Sequence, residues 1–256
     1  MSEIVLKTEG LTKRYGGVHA LEGADFEIRK GEHVAIMGDN GAGKSTFVRQ
    51  ITAVEQRTSG SVWFDGREVD FSGPLEAREA GIETVFQNLA LADSLNVPDN
   101  LFLGREIYKL KLGPFSILDY KAMRDATMAS LEKTGVKIPN INNPISNMSG
   151  GQRQCVAIAR TATFHSKLTI MDEPTAALGV QETAQVENIV RTLKEAGEPL
   201  ILISHNMRQV FDLVDRIVVF RRGRIVANLR KEETSGEDVV AYITGAKTQP
   251  EYELEA

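Results

Sequence analysis

The amino-acid sequence predicts an α/β protein with a mainly parallel core sheet, an N-terminal antiparallel β subdomain and a helical subdomain. Three observations carry that prediction. The apolar runs HVAIM, LTIM (168–171) and LILIS (200–204) are continuous rather than alternating and only of strand length, as parallel strands buried on both faces are. Helix-length segments separate the later runs, which gives the strand, helix, strand order of a parallel sheet. β-Prone stretches crowd the N-terminus, whereas residues from about 93 to 145 turn polar and helix-compatible.

In order along the chain, IVLKTEGLTKRY, ALEGADFEI and HVAIMG read as strands broken by glycines and charges, and TFVRQITAV follows as a helix. SVWFDGREV is a hairpin turning at Asp65-Gly66, with Trp63 packed on a sheet face. After Pro74, LEAREAG is a short helix stopped by Gly81, and IETVF is a strand. YKAMRDATMASLEKTG is a helix ending at Gly135, inside a helical insert. The core resumes with a helix from about Ser149 to Thr161, the strand LTIM, a helix over QETAQVENIVRTLKEAG, the strand LILIS and a helix after Asn206. IVVFRRGRIVANL closes it as a hairpin, and KTQPEYELEA reads as a frayed acidic tail.

A chain of 256 residues, 42% hydrophobic and 25% charged, is ordinary for a globular protein and long enough for one large domain with a subdomain. Its net charge of -5 supplies no global basic field of the kind that draws proteins onto nucleic acid or anionic lipid. The single cysteine, Cys155, has no internal partner; set among apolar residues in QCVAIAR, it reads as a small buried side chain, in keeping with a reducing cytosol. MSEIVLKTEG lacks the basic and apolar regions of a signal peptide, and charges interrupt every apolar run short of the ~20 residues of a membrane helix. Any transport role therefore needs another polypeptide as the channel.

The chemistry starts at Gly38-Asp39-Asn40-Gly41-Ala42-Gly43-Lys44-Ser45-Thr46, which matches G-x-x-x-x-G-K-[ST] and lies between a strand and a helix. Its glycines let backbone N–H groups converge on phosphate, the helix N-terminus favours negative charge, Lys44 brings a cation to the outer phosphates, and the Ser45 hydroxyl can ligate Mg²⁺. Asp172 and Glu173 end the strand LTIM, at the carboxyl edge where open parallel sheets place ligands. Alone they would be a solvated edge. Beside the phosphate loop they divide the work: Asp172 holds Mg²⁺ through water, and Glu173 orients or deprotonates the attacking water. Met148-Ser149-Gly150-Gly151-Gln152 opens a helix and, taken alone, would be a flexible turn. With a hydroxyl at the N-cap and two glycines, it is also a second anion site on the same chain.

Together these segments resemble the ABC ATPase family of P-loop NTPases, whose signature LSGGQ stands here with Met148 in place of leucine. The resemblance covers nearly the whole chain in the family's order. It implies that Tyr15 stacks on adenine, that Gln87 in VFQN links the metal to the helical subdomain, and that His205 in ISHN contacts the γ-phosphate. Singly, those three would read as a packed tyrosine, a loop amide and a core histidine. The implied organisation is one nucleotide-binding domain over residues 1–246, a helical subdomain at about 90–160 and a tail at 247–256. One departure stands out: after Asp172-Glu173-Pro174-Thr175 the family commonly has SALD, whereas this chain has Ala176-Ala177-Leu178-Gly179 and lacks the aspartate that links two sites across a dimer.

NLALADSLNVPDNLFLGRE, GDNGAGKST, EPTAALG and DVVAYITGA are similar to the ATP-binding subunits of bacterial monosaccharide importers of the ribose, xylose and fructose type. The single cassette is similar to the fructose-type importers. What the resemblance implies is an ATPase using ATP and Mg²⁺ at the cytoplasmic face of the inner membrane. Its partners would be a second copy of itself, transmembrane permease subunits and, indirectly, an external solute-binding protein, with no nucleic acid. The alternative is an ABC ATPase acting on DNA or ribosomes, but neither long coiled-coil arms nor a second cassette is present; a P-loop kinase or GTPase would leave SGGQ unexplained and lacks N-K-x-D.

Overall fold

The computed structural model describes residues 3–86, 89–164, 166–176 and 178–249. They belong to two compact units, one of Met1–Thr84, Ser166–Glu173 and Leu193–Ala256, the other of Val85–His165 and Pro174–Thr192.

In the first unit, β1 (Ile4–Tyr15) and β2 (Val18–Arg29) pair antiparallel around the turn at Gly16 and Gly17. β3 (His33–Met37) is buried at every position, and α1 (Lys44–Ile51) follows the glycine-rich loop. The helix starts two residues earlier than TFVRQITAV suggests, because Gly43, at φ 105, turns the loop straight into it. It stops at Ile51, ahead of Ala53 at φ 52. β4 (Ser59–Phe64) and β5 (Arg67–Val69) form the hairpin over Asp65-Gly66, completing a four-stranded sheet in the order β2-β1-β4-β5. Trp63 sits on its outer face, opposite Lys7 and Glu68. α2 (Pro74–Ala80) ends at Gly81, in the left-handed region at φ 114, and β6 (Ile82–Val85) follows.

The second unit holds α3 (Val97–Leu101), β7 (Tyr108–Leu110), β8 (Ile117–Leu118), α4 (Tyr120–Thr134) and α5 (Gly150–Thr163). The fully buried Asn100 organises the entry to this unit by donating to the carbonyls of Ala92, Leu95 and Asn96 and accepting from Ala92 N–H. The insert expected to be helical therefore also contains a two-stranded β7–β8 hairpin, turned by Gly113 at φ 56. Its apolar residues face outward, so the sequence carries no burial pattern that would mark it. α4 is capped by Asp119 and stopped by Gly135 at φ 67, and it is tied to α5 where Ser130 Oγ donates to the Ala159 carbonyl at 3.2 Å. Cys155 is buried on α5, and burial foremost, then the nearby Glu182 charge, pushes its thiol up to about 11.

β9 (Leu168–Asp172) returns to the first unit, and α6 (Val180–Glu195) belongs to the second as far as Thr192. β10 (Leu200–Ile203), α7 (Met207–Leu213), β11 (Arg216–Arg221), β12 (Arg224–Arg230) and α8 (Gly236–Thr244) complete the first unit. The six-stranded sheet has the order β12-β11-β3-β10-β9-β6, with β11, β3, β10 and β9 parallel and β12 an antiparallel edge. Phe47 of α1 is fully buried between Phe26 of β2 and Phe220 of β11, at ring distances of 5.3 and 5.4 Å. Burying such a ring contributes about 1.5–3 kcal/mol and anchors the helix that begins with Lys44. Within the expected tail at 247–256, the Lys247 ammonium pairs with Asp238, and residues 250–256 lie outside the described residues.

Candidate active site

The loop 38–46 is shaped by close approaches that only glycine allows. A Cβ on Gly38, at φ 149, would lie 2.2 Å from the Phe220 carbonyl oxygen, and one on Gly43 would lie 2.9 Å from that of Ala20. Ala42 N–H donates to the Asp39 carbonyl at 3.1 Å, and Gly223 N–H to that of Ala42 at 2.9 Å, which fixes the loop against the β11–β12 turn. No side chain caps the N-terminus of α1. Its first N–H groups, at Lys44, Ser45 and Thr46, can therefore take an external anion. The Lys44 ammonium is drawn back over the loop, donating to the carbonyls of Gly38 at 2.7 Å and Asp39 at 2.9 Å. Burial lowers its pKa, against the pull of Glu173, Asp172 and Asp39.

Register places the carboxylates. β9 pairs parallel with β10 so that Asp172 stands opposite Ile203, at the carboxyl edge of the sheet. Burial, then repulsion from Glu173, raises the Asp172 pKa, opposed by Lys44 and Arg49. A crowded carboxylate of this kind is relieved by a cation, and oxygen donors such as this carboxylate and the Ser45 hydroxyl are the type that Mg²⁺ prefers. Among the described residues no group of three or more His, Cys, Asp or Glu is placed to hold a metal ion.

Glu173 adopts φ 51, a left-handed conformation unusual for a side chain of its length. Its N–H donates to the Ile203 carbonyl at 2.9 Å, and its carboxylate lies 2.8 Å from His205 Nδ1. The strand end thus turns sharply at the residue whose carboxylate meets the histidine from the next strand. Tyr15, at the end of β1, is partly exposed; its hydroxyl donates to Glu55, and the Lys13 ammonium lies 5.1 Å from its ring centre. The first unit therefore brings Lys44, Asp172, Glu173 and His205 together.

In the second unit, Ser149 caps α5. Its Oγ accepts from Gln152 N–H at 3.2 Å, and the Gln152 side chain accepts from Ser149 N–H at 3.0 Å. Accepting leaves the Ser149 O–H proton to donate elsewhere, and the N–H groups of Gly150 and Gly151 have no acceptor within the helix. Gly150 faces open space, whereas a Cβ on Gly151 would meet the Glu182 side chain at 2.2 Å.

Residues 21–176 match the ABC transporter family. The chain is 47% identical over 251 residues to the fructose import ATP-binding protein FrcA of Rhizobium meliloti, covering 97% of this chain and 96% of that protein. It is 42% identical over 244 residues to the xylose/arabinose import ATP-binding protein XylG of Sulfolobus acidocaldarius, covering 95% of each. The chain belongs to the ABC transporter family. Its structure is similar to that of a solved ATP-binding cassette of an ABC transporter in its ADP conformation, with a TM-score of 0.80, 27% identity, and 95% of this chain and 100% of that chain covered. A nucleotide-free cassette from an ABC transporter gives a TM-score of 0.78 at 26% identity, covering 94% and 95%.

Gln87, assigned by resemblance to the cassette's metal site, lies outside the described residues. Glu182 is the residue that sequence reasoning passed over. It stands in the first turn of α6, packs against Gly151, and its Oε2 would lie 2.7 Å from a Cβ on Gly179. An acid three residues beyond the missing aspartate was the available signal.

Proposed function

We propose that this ABC-family chain is the ATP-binding and ATP-hydrolysing subunit of a monosaccharide importer, of the fructose type. The observation that carries the reading is the grouping of Lys44, Asp172, Glu173 and His205 around the start of α1. The names of the relatives, fructose import and xylose/arabinose import ATP-binding proteins, support the sugar assignment.

In this reading the N–H groups of Lys44, Ser45 and Thr46 and the Lys44 ammonium bind the β- and γ-phosphates, and Tyr15 stacks on adenine. Ser45, Asp172 and Gln87 would hold Mg²⁺, which neutralises phosphate charge when bound. The Glu173 carboxylate orients the water and accepts its proton, while the His205 ring, held at Nδ1 by Glu173, turns Nε2 toward a γ-phosphate oxygen. ATP and water give ADP and phosphate, and positioning with charge neutralisation supplies most of the rate. Ser149, Gly150, Gly151 and Gln152 cap the nucleotide of a second copy. No helix among the described residues is long and apolar enough to cross a membrane, which suits a peripheral subunit working at the cytoplasmic face with separate permease subunits and, through them, an external solute-binding protein.

Two measurements test this. Lys44→Ala should abolish tight binding of labelled ATP, and unchanged affinity would reject the phosphate-loop assignment. The chain should also co-purify from membranes with a hydrophobic partner, and its recovery with DNA or ribosomes instead would reject the transport reading.

A further inference from the structure

The β7–β8 hairpin exposes a row of large apolar side chains. Phe115 is 76% exposed and Leu112 61%, and Tyr108, Leu110, Ile117 and Tyr120 also face solvent. Cross-strand pairing sets Tyr108 opposite Leu118 and, across a register shift, Leu110 opposite Ile117. The tip is well formed: Phe115 N–H donates to the Leu112 carbonyl at 3.1 Å, Leu112 N–H to Ser116 Oγ at 3.2 Å, and Ser116 Oγ to the Gly113 carbonyl at 2.7 Å. A two-stranded hairpin is marginal in water, and contiguous apolar surface kept there marks an interaction site.

Charge says what it meets. Lys109 and Lys111 alternate with the apolar residues, and the Lys111 ammonium lies 5.6 Å from the Tyr108 ring centre. Residues 105–121 carry Arg105, Lys109, Lys111 and Lys121 against Glu106 and Asp119 alone, in a chain of net charge -5. Both acids are engaged locally, Glu106 by Gly104 N–H at 3.0 Å and Asp119 as the cap of α4 at 3.0 Å.

We propose that this hairpin docks on an anionic lipid surface, its aromatic and aliphatic side chains entering the headgroup layer while Lys109 and Lys111 meet lipid phosphates. Aromatic rings interleaved with long cationic stems are the residue types that settle at a membrane–water boundary. Anionic headgroups complement the local positive excess. The contact goes beyond the transporter reading and does not depend on it, since vesicles test the hairpin and ATP hydrolysis tests the site.

The full chain should co-sediment at low salt with vesicles containing phosphatidylglycerol, much less with pure phosphatidylcholine, and be released as salt rises. Leu112→Ser with Phe115→Ser, and separately Lys109→Glu with Lys111→Glu, should each cut the bound fraction about tenfold while ATP hydrolysis is unchanged. Failure of the unaltered chain to bind anionic vesicles would overturn the proposal, as would binding by both variants equal to that of the unaltered chain. If the variants keep vesicle binding but lose a detergent-solubilised membrane partner, the hairpin is a protein-docking surface and the lipid proposal fails.

Discussion

Glu173 combines a left-handed backbone angle with a carboxylate 2.8 Å from His205 Nδ1. A glutamate at φ 51 costs about 1 kcal/mol of backbone strain or more, held here by the Ile203 carbonyl on one side and His205 on the other. In the proposed site it positions water without holding the nucleotide, so Glu173→Gln should bind ATP as the unaltered chain does. It should hydrolyse ATP roughly 10²–10⁴-fold more slowly in a phosphate-release assay. Turnover within about twofold of the unaltered rate would remove Glu173 from the mechanism. Gly179 can now be read against its neighbour, because a side chain there lands on the Glu182 carboxylate. Gly179→Asp should therefore lower stability by about 1 kcal/mol through like-charge repulsion and change turnover more than ATP affinity. Adding Glu182→Ala should restore the lost stability, and a thermal-melt double-mutant cycle without coupling would refute the contact.

At the scale of elements, β3 carries a pH dependence that its apolar run conceals. His33 is fully buried, its Nε2 lies 3.1 Å from the Glu198 carbonyl, and its Nδ1 makes no close hydrogen bond among the described residues. Burial holds its pKa below the ordinary value of about 6.5. The folded protein therefore refuses a proton that the unfolded chain accepts, so stability falls as pH drops below about 6.5 and is insensitive to this group above it. Denaturant midpoints should decline between roughly pH 7 and pH 5.5, and His33→Gln should flatten that slope; an unchanged slope would exclude His33 as its source. The strands β3, β9 and β10 were legible because continuous apolar runs have few other uses. The β7–β8 hairpin was not, since its apolar residues are outside and its alternation with lysine resembles a solvated loop.

For the whole molecule, the two phosphate-facing segments belong to different compact units, the loop 38–46 to one and the start of α5 to the other. If each unit serves a different nucleotide, as we propose, two chains share two ATP molecules, and ligand bound only by the pair stabilises the pair. Glu173→Gln with ATP and Mg²⁺ should then run at twice the 28.2 kDa chain mass. Adding Ser149→Arg should return it to the monomer mass while labelled ATP still binds at Lys44. A monomer of Glu173→Gln at high protein concentration and saturating ATP, in isolation and with its membrane partner, would refute the shared site.

The sequence by itself determined everything that a contiguous segment can specify: the glycines of 38–43, the cap and glycines at 149–151, and the carboxylate pair after LTIM. In each, the chemistry depends on backbone and side chains only a few residues apart. Tertiary structure alone decided which distant groups meet. It set Gly38 against Phe220, brought Lys44 into the field of Asp172 and Glu173, joined Glu173 to His205, and set Glu182 against Gly151. These contacts arise from sheet register, helix packing and one left-handed backbone angle, quantities that depend on the folding of the whole unit and leave no local pattern in the chain.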